Sequence, residues 1–184
     1  INLDATEAFF PEKRLFFLEG REVFVASPRA DTRSNGVGNS GAPYTMVNTR
    51  RIGGKPLDLP VASNVSIPGR ELARPVDLYG AVKLTGQVGS FRYGFLGAFE
   101  EDAVLRGSDG GVPVLLKQTG SNYGIARLVY EDSVGGAYRS VGLLSTAALH
   151  DSRDALVQGV DGHYLTSDGK LKLDGQVFTS DIDG

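Results

Sequence analysis

The feature that most constrains the fold is an alternation of apolar and polar residues that recurs through the second half of the chain. In the stretch SFRYGFLGAF, residues 90–99, the aromatic residues share one parity: Phe91, Tyr93, Phe95 and Phe99. Alternate side chains of a β-strand point to opposite faces of the sheet. The stretch therefore predicts a strand with one aromatic face, and Arg92 lies on the other face.

The same alternation recurs in six consecutive segments, residues 77–88, 90–99, 122–132, 138–149, 154–166 and 170–181. In the first of them Leu78, Val82, Leu84 and Val88 share one parity and Lys83 has the other. Each segment is roughly 10 to 12 residues long, whereas strands of globular proteins usually have about 5 or 6. A tilted strand that crosses a membrane needs about 9 to 11 residues. The lengths therefore favour membrane-spanning strands.

Short and longer connections alternate between these segments. Residues 89–90, 133–137 and 167–169 are short connections, while residues 101–121 and 150–153 are longer ones. Outer-membrane barrels alternate in this way because their periplasmic turns are short and their extracellular loops are long. The sequence therefore predicts an all-β fold, an antiparallel up-and-down meander of long strands that is part of a transmembrane β-barrel. In that fold Lys83, Arg92, Arg127 and Glu131 face the lumen.

The chain divides into two regions, which differ in how regularly apolar and polar residues alternate. Residues 1–76 form an irregular N-terminal region with a short predicted strand near 44–53, which we interpret as a plug, periplasmic or lumenal. Residues 77–184 contain the barrel strands. The N-terminal region carries charges among its aromatic residues: Glu12, Lys13, Arg14, Glu19, Arg21, Arg50 and Arg51. Buried charges are normally paired, which favours a structural network over an anion- or sugar-contacting surface in a pore.

Several classes of function are disfavoured by composition and motifs. The net charge of −3 provides no basic footprint, so no nucleic-acid partner is expected. The chain has no Cys and two His, and it lacks a G-x-S-x-G nucleophile motif, so we expect neither catalytic residues nor a bound metal. The stretch GVGNSG, residues 36–41, matches G-x-G-x-x-G, but Ala42 and Pro43 follow it where a dinucleotide site needs a helix. No cofactor is expected.

Four motifs in order resemble a bacterial protein family: FFPEKRLFFLEG at residues 9–20, RRIGG at 50–54, GAVKLTGQ at 80–87 and NYGIARL at 122–128. In that family a family 9 carbohydrate-binding-like module precedes a long region expected to form an outer-membrane β-barrel. Here the resemblance covers only the start of the barrel region, and Leu15 stands where the family usually has Pro. It implies a non-enzymatic, porin-like or transport-associated protein of the bacterial outer membrane. The implied partners are the lipid bilayer and other outer-membrane or periplasmic proteins, with a small-molecule or glycan cargo left open.

Six strands are too few to close a membrane barrel, for which eight is the observed minimum. We therefore expect either further strands beyond Gly184 or a barrel that several chains close together. Two alternatives stay open at this point. One is a soluble all-β carbohydrate-binding module, and the other is a glycan-directed hydrolase that uses carboxylates among Glu100, Glu101, Asp102 and Glu131.

Overall fold

The computed structural model describes residues 12–26, 47–56 and 64–183. The predicted all-β fold with an up-and-down antiparallel meander is confirmed. The strands are β1 (Val65–Ser66), β2 (Leu78–Val88), β3 (Phe91–Glu100), β4 (Ala103–Asp109), β5 (Val112–Gln118), β6 (Asn122–Val134), β7 (Ala137–Leu149), β8 (Asp154–Leu165) and β9 (Lys172–Asp183). The helical elements are single turns, namely α1 (Leu15–Leu18), α2 (Gly69–Leu72) and 3-10 turns at Arg21–Phe24 and Thr49–Arg51.

The main sheet has the strand order β2-β3-β6-β7-β8-β9, and every neighbouring pair is antiparallel. Its register aligns apolar residues of five strands in one row across the sheet: Tyr93, Leu128, Leu143, Val160 and Val177. The turns β2–β3, β6–β7 and β8–β9 lie at one end of this sheet, which we call the short-turn end. Strands β2 and β9 form its two edges.

The connection at residues 101–121, predicted as a long loop, contains the hairpin β4–β5, which pairs with β1 in a separate three-stranded sheet. Gly110 and Gly111 form its turn, with φ of 55° and 93°. Only glycine adopts such backbone angles without a steric penalty, and this favours a tight hairpin turn.

The short strand predicted near 44–53 is wrong over residues 47–53, which form the 3-10 turn Thr49–Arg51. The side chain of Asn48 accepts a hydrogen bond from the backbone N–H of Arg50, over 3.2 Å, and so caps this turn. An Asn side chain that bonds the nearby backbone in this way competes with strand formation. Residues 44–46, and the 36–41 motif, lie outside the described residues.

The two faces of the main sheet differ in what covers them. On one face, which we call the covered face, Leu96, Ala98, Ile125, Leu144 and Ala148 are buried. They form a core with four residues of the N-terminal segment, defined here as residues 12–26 and 47–56: Phe17, Val23, Phe24 and Ile52. The bulge between Leu78 and Gly80 turns Leu78 toward this core, so its parity differs from that expected from the sequence.

The opposite face, which we call the outer face, exposes large apolar side chains on all six strands. These residues are between 36% and 75% exposed: Val82, Leu84, Val88, Phe91, Tyr93, Phe95, Phe99, Leu128, Tyr130, Val141, Leu143, Leu149, Leu156, Val160, Tyr164, Leu173 and Val177. The apolar half of the alternation is therefore exposed, and much of the polar half is covered. Within the described ranges, no helix is long and apolar enough to cross a membrane.

Candidate functional site on the covered face

A buried carboxylate organises the start of the N-terminal segment. Glu12 is 7% exposed and accepts hydrogen bonds from the backbone and guanidinium nitrogens of Arg14, at 2.9 to 3.0 Å, and from the Thr49 hydroxyl at 2.7 Å. Burial alone would raise the pKa of Glu12, but these hydrogen bonds and the adjacent Arg14 charge lower it to about 2. Glu12 is therefore a structural anion that joins two stretches of the segment.

The Arg14 guanidinium extends the same link. Its Nη1 donates to the carbonyl of Ile52 and its Nη2 to that of Thr49, both at 2.6 Å. The guanidinium also lies 4.2 Å from the centre of the Phe17 ring, in a cation–π contact. Arg14 therefore ties residues 12–17 to the capped turn and places Phe17 in the core.

Lys83 of β2 connects the sheet to the N-terminal segment. Its ammonium donates to the backbone carbonyls of Phe16 and Glu19 and lies 4.9 Å from the centre of the Phe16 ring. An ammonium has three donors and can hold two carbonyls at the end of a helical turn, where carbonyls lack helical partners. Lys83 therefore neutralises the carbonyl end of α1 and attaches it to the sheet.

Gly94 of β3 makes room for the N-terminal segment. A Cβ atom at this position would lie 2.8 Å from the Phe24 ring and 2.9 Å from Val23. Real Cβ atoms are almost never found so close to other atoms, so any larger residue would displace the segment. The absence of a side chain at Gly94 thus permits a close contact between the segment and the covered face.

Glu100, at the end of β3, holds residues 47–56 of the N-terminal segment in place. Its Oε1 accepts from the backbone N–H of Gly53 at 2.8 Å, and its Oε2 accepts from that of Ser121 at 3.1 Å. Glu100 is 9% exposed, so both oxygens are used inside the protein. This carboxylate, which the sequence suggested as a candidate hydrolytic group, therefore has a structural role in this geometry.

A buried ion pair lies at the centre of the covered face. The Arg127 guanidinium of β6 donates to both carboxylate oxygens of Asp161 on β8, and its Nη2 lies 2.9 Å from Oδ2. Both side chains are at most 5% exposed. The guanidinium passes over Gly142 of the intervening strand, where a Cβ atom would clash with it. The pair therefore bridges two strands over a glycine.

Toward the short-turn end the covered face carries a chain of polar contacts, which we call the polar ladder. It consists of Arg92, Glu131, Tyr138, His163, Asp174 and Lys172. The Arg92–Glu131 ion pair measures 3.0 Å, and the Tyr138 hydroxyl donates to Glu131 at 2.7 Å. The Tyr138 and His163 rings are 5.5 Å apart, His163 Nδ1 bonds Asp174, and Lys172 lies 3.0 Å from Asp174. The ladder spans five strands and combines ion pairs with hydrogen bonds and one ring contact.

The ladder also places a Ser, a His and an Asp in adjacent positions. Ser140 lies opposite His163, and His163 opposite Asp174, on three neighbouring strands. However, in the described part of the chain no hydrogen bond joins the Ser140 hydroxyl to His163, and Glu131 occupies the position opposite Ser140 on the other side. A carboxylate there would oppose the negative charge that develops in acyl transfer. This geometry does not present an activated serine.

The eleven charged residues that the sequence analysis named as candidates fall into three groups. Glu12, Arg14 and Arg51 are buried or half-buried in the N-terminal segment, and Lys83, Arg92, Arg127 and Glu131 lie on the covered face. The side chains of Lys13, Glu19, Arg21 and Arg50 are exposed, and Glu19 contributes through its backbone carbonyl. No single network joins all eleven.

Sequence reasoning missed Asp161 and Asp174 as charge partners, and Glu100 as an acceptor for backbone N–H groups. Asp161 and Asp174 have the parity of the covered face in their own strands, which was the available signal, but the register across β6 to β9 decides which charges meet. Among the residues that the structure describes, no three His, Asp or Glu side chains are grouped so that they could hold a metal ion. Comparison with protein-family models, curated proteins and solved structures finds no match to this chain.

Proposed function

We propose that this chain forms part of the wall of an outer-membrane β-barrel, porin-like or transport-associated, with its outer face against lipid and its N-terminal segment in the lumen. The observation that carries the proposal is the distribution of residues between the two faces. Large apolar side chains are exposed on one face of all six strands of the main sheet, while the buried Arg127–Asp161 ion pair and the N-terminal segment occupy the opposite face. Soluble monomers rarely expose contiguous apolar patches larger than a few hundred Å².

The dimensions of the strands support the same proposal. The six strands have 10 to 13 residues. At about 3.3 Å per residue they extend about 33 to 43 Å, which at a tilt of about 40° corresponds to a rise of roughly 25 to 33 Å. The apolar band of an outer-membrane barrel is about 25 Å tall. These strands are long enough to cross it.

Aromatic residues lie where a membrane interface would be expected. Phe91, Tyr130 and Tyr164 occupy the outer face near the short-turn end. Just beyond Tyr130, Arg139 pairs with Asp132, with Nη2 and Oδ2 2.8 Å apart. Aromatic girdles followed by charged residues mark the boundaries of membrane barrels.

The apolar band also runs diagonally across the sheet. On β3 the band extends to Phe99, at the end away from the short turns. On β9 it ends at Val177, and the polar residues Thr179 and Asp181 follow. Rows of paired residues are perpendicular to the strands. When the strands are tilted, a band that lies parallel to the bilayer therefore crosses these rows diagonally. The slant therefore agrees with strands inclined to the bilayer normal.

The covered face supports a lumenal assignment. Its half away from the short turns is filled by the N-terminal segment, and its other half carries the polar ladder, whose Arg92, Glu131, His163 and Asp174 side chains are 15% to 30% exposed. A polar solute in the lumen would contact the ladder first. In the described part of the chain β2 and β9 are the edges of the sheet, and open sheet edges do not occur in lipid, so the proposal also requires that further strands pair with them. In the vesicle test below, these strands come from other copies of the chain.

The test is whether folding depends on a bilayer. The chain is diluted from urea into buffer alone or into phospholipid vesicles, and strand content, vesicle flotation and resistance to carbonate extraction are measured. We expect folded, carbonate-resistant protein only with vesicles, and a heat-dependent shift of the folded band in gel electrophoresis. A protein that is folded and monodisperse in buffer and does not float with the vesicles would refute the proposal.

A further inference from the structure

A groove of about 520 Å³ crosses the outer face from β6 to β9. One of its walls is apolar and belongs to the row Leu128, Leu143, Val160 and Val177. The other wall is the next row of paired residues, Ala126, Ser145, Gln158 and Thr179. Three of these four side chains are polar and the fourth is small, so one wall departs from the apolar character of the outer face.

On β7 and β8 the polar wall lies within the apolar band, and on β9 Thr179 lies just beyond the end of the band. On β8 Gln158 is flanked by the exposed Leu156 and Val160, and on β7 Ser145 has Leu143 on one side and Leu149 further along. Among the described residues, neither Gln158 nor Ser145 makes a side-chain hydrogen bond. An amide without a partner is costly in hydrocarbon, because lipid tails offer neither donors nor acceptors. The groove therefore needs an occupant that brings polar groups to this depth.

We infer that this groove is the contact surface between two copies of the chain in the membrane, an inference that rests on the proposed function. A two-fold axis through the groove places the apolar wall of one copy against that of the other and brings the two Gln158 amides together. Each amide has both donors and an acceptor, so the same residue can satisfy its counterpart, as an isologous interface requires. Small residues such as Ala126 and Ser145 allow close approach, as at contacts between membrane segments.

The occupant is a second copy rather than a lipid molecule for a chemical reason. An acyl chain could fill the apolar wall but leaves Gln158 without a partner. A headgroup has suitable donors or acceptors but stays at the membrane surface, beyond Leu156 on this strand. A second copy supplies the apolar row and the polar row together, in the spacing at which they occur here.

Cysteine cross-linking tests this directly, because the chain has no Cys of its own. Val160→Cys places a thiol in the apolar wall, and the matched control Val82→Cys places one on β2, also on the outer face; the two valines are 47% and 52% exposed. Each variant is refolded into phospholipid vesicles and treated with a short bismaleimide. We expect a product of twice the chain mass from Val160→Cys and little from Val82→Cys. Adding Gln158→Leu to Val160→Cys should lower that yield at least fivefold, because both amides of the pair are lost.

Each other outcome contradicts the inference. Membrane-inserted Val160→Cys that stays at the mass of one chain would show that the groove is filled by lipid, and equal yields from both variants would indicate random collision. An undiminished yield with Gln158→Leu would remove the role of the amide. Vesicle flotation is measured on the same samples, so that a protein absent from the vesicles overturns the proposed function as well, whereas inserted monomers overturn only the dimer.

Discussion

Replacing Leu143 by Arg tests whether this residue faces lipid or water. Leu143 lies near the middle of β7, in the apolar row of the outer face, and is 53% exposed. At the midplane of a bilayer an Arg on the lipid face of a barrel costs about 2 to 4 kcal/mol of folding free energy. In water, by contrast, the loss is limited to the half of the leucine that is buried, about 1 kcal/mol at most, and the arginine stem recovers part of it.

Leu115→Arg is the matched control. Leu115 is 71% exposed on β5, in the separate three-stranded sheet, and exposed surface substitutions usually change stability by no more than about 0.5 kcal/mol. Leu143→Ala removes the same apolar contacts without adding a charge. The free energy of unfolding from vesicles, measured by urea titration of the folded band, should fall by about 2 to 4 kcal/mol more for Leu143→Arg than for Leu115→Arg. Equal effects of the two Arg substitutions, within about 0.5 kcal/mol, would refute the assignment of the outer face to lipid.

Three further predictions concern the covered face. Gly94→Val should destabilise the protein by about 1 to 3 kcal/mol and expose the N-terminal segment to trypsin, whereas Gly124→Val, where a Cβ would meet nothing within 4 Å, should leave the digestion pattern unchanged. Arg127→Ala should cost about 3 to 5 kcal/mol in urea unfolding because it leaves Asp161 buried without its counter-charge, and Arg127→Met combined with Asp161→Leu should recover most of that loss; an additive double variant would contradict the pairing. The lowered pKa of Glu12 means that its contribution, at most about 3 kcal/mol, is complete above pH 4.5 and is lost as the pH falls toward 2; Glu12→Gln should flatten the stability profile in that window, and an unchanged slope would contradict the role of this carboxylate.

The fold was predictable from the sequence because alternation along a strand directly determines the face of each side chain. The parity of Phe91 and Tyr93 against Arg92 needs no tertiary information, and the same holds for the succeeding strands. The position of Leu78 was not predictable, because one bulged residue inverts the parity before it. The hairpin in residues 101–121 was missed because its strands are short and Pro113 weakens their signal.

The candidate site was predictable only in part. Arg127 and Glu131 could be assigned to one face, but their partners depend on register: Arg127 reaches Asp161 two strands away over Gly142, and Glu131 pairs with Arg92. Register is set by turn geometry and by the packing of whole faces, which local pattern does not contain. The docking of the N-terminal segment likewise depends on contacts between residues far apart in sequence, such as Lys83 with the carbonyl of Phe16.

The central claim is that the outer face lies in hydrocarbon. It is tested most directly by comparing two adjacent residues of β7, one on each face of the sheet. Spin labels attached to Leu143→Cys and Leu144→Cys probe the outer and the covered face, since Leu144 is 3% exposed on the latter. In vesicles, the label at position 143 should collide frequently with oxygen, which concentrates in lipid, and rarely with a water-soluble nickel chelate, while the label at 144 should be shielded from both. A label at 143 that meets the nickel chelate as often as a label at Leu115→Cys would contradict the account.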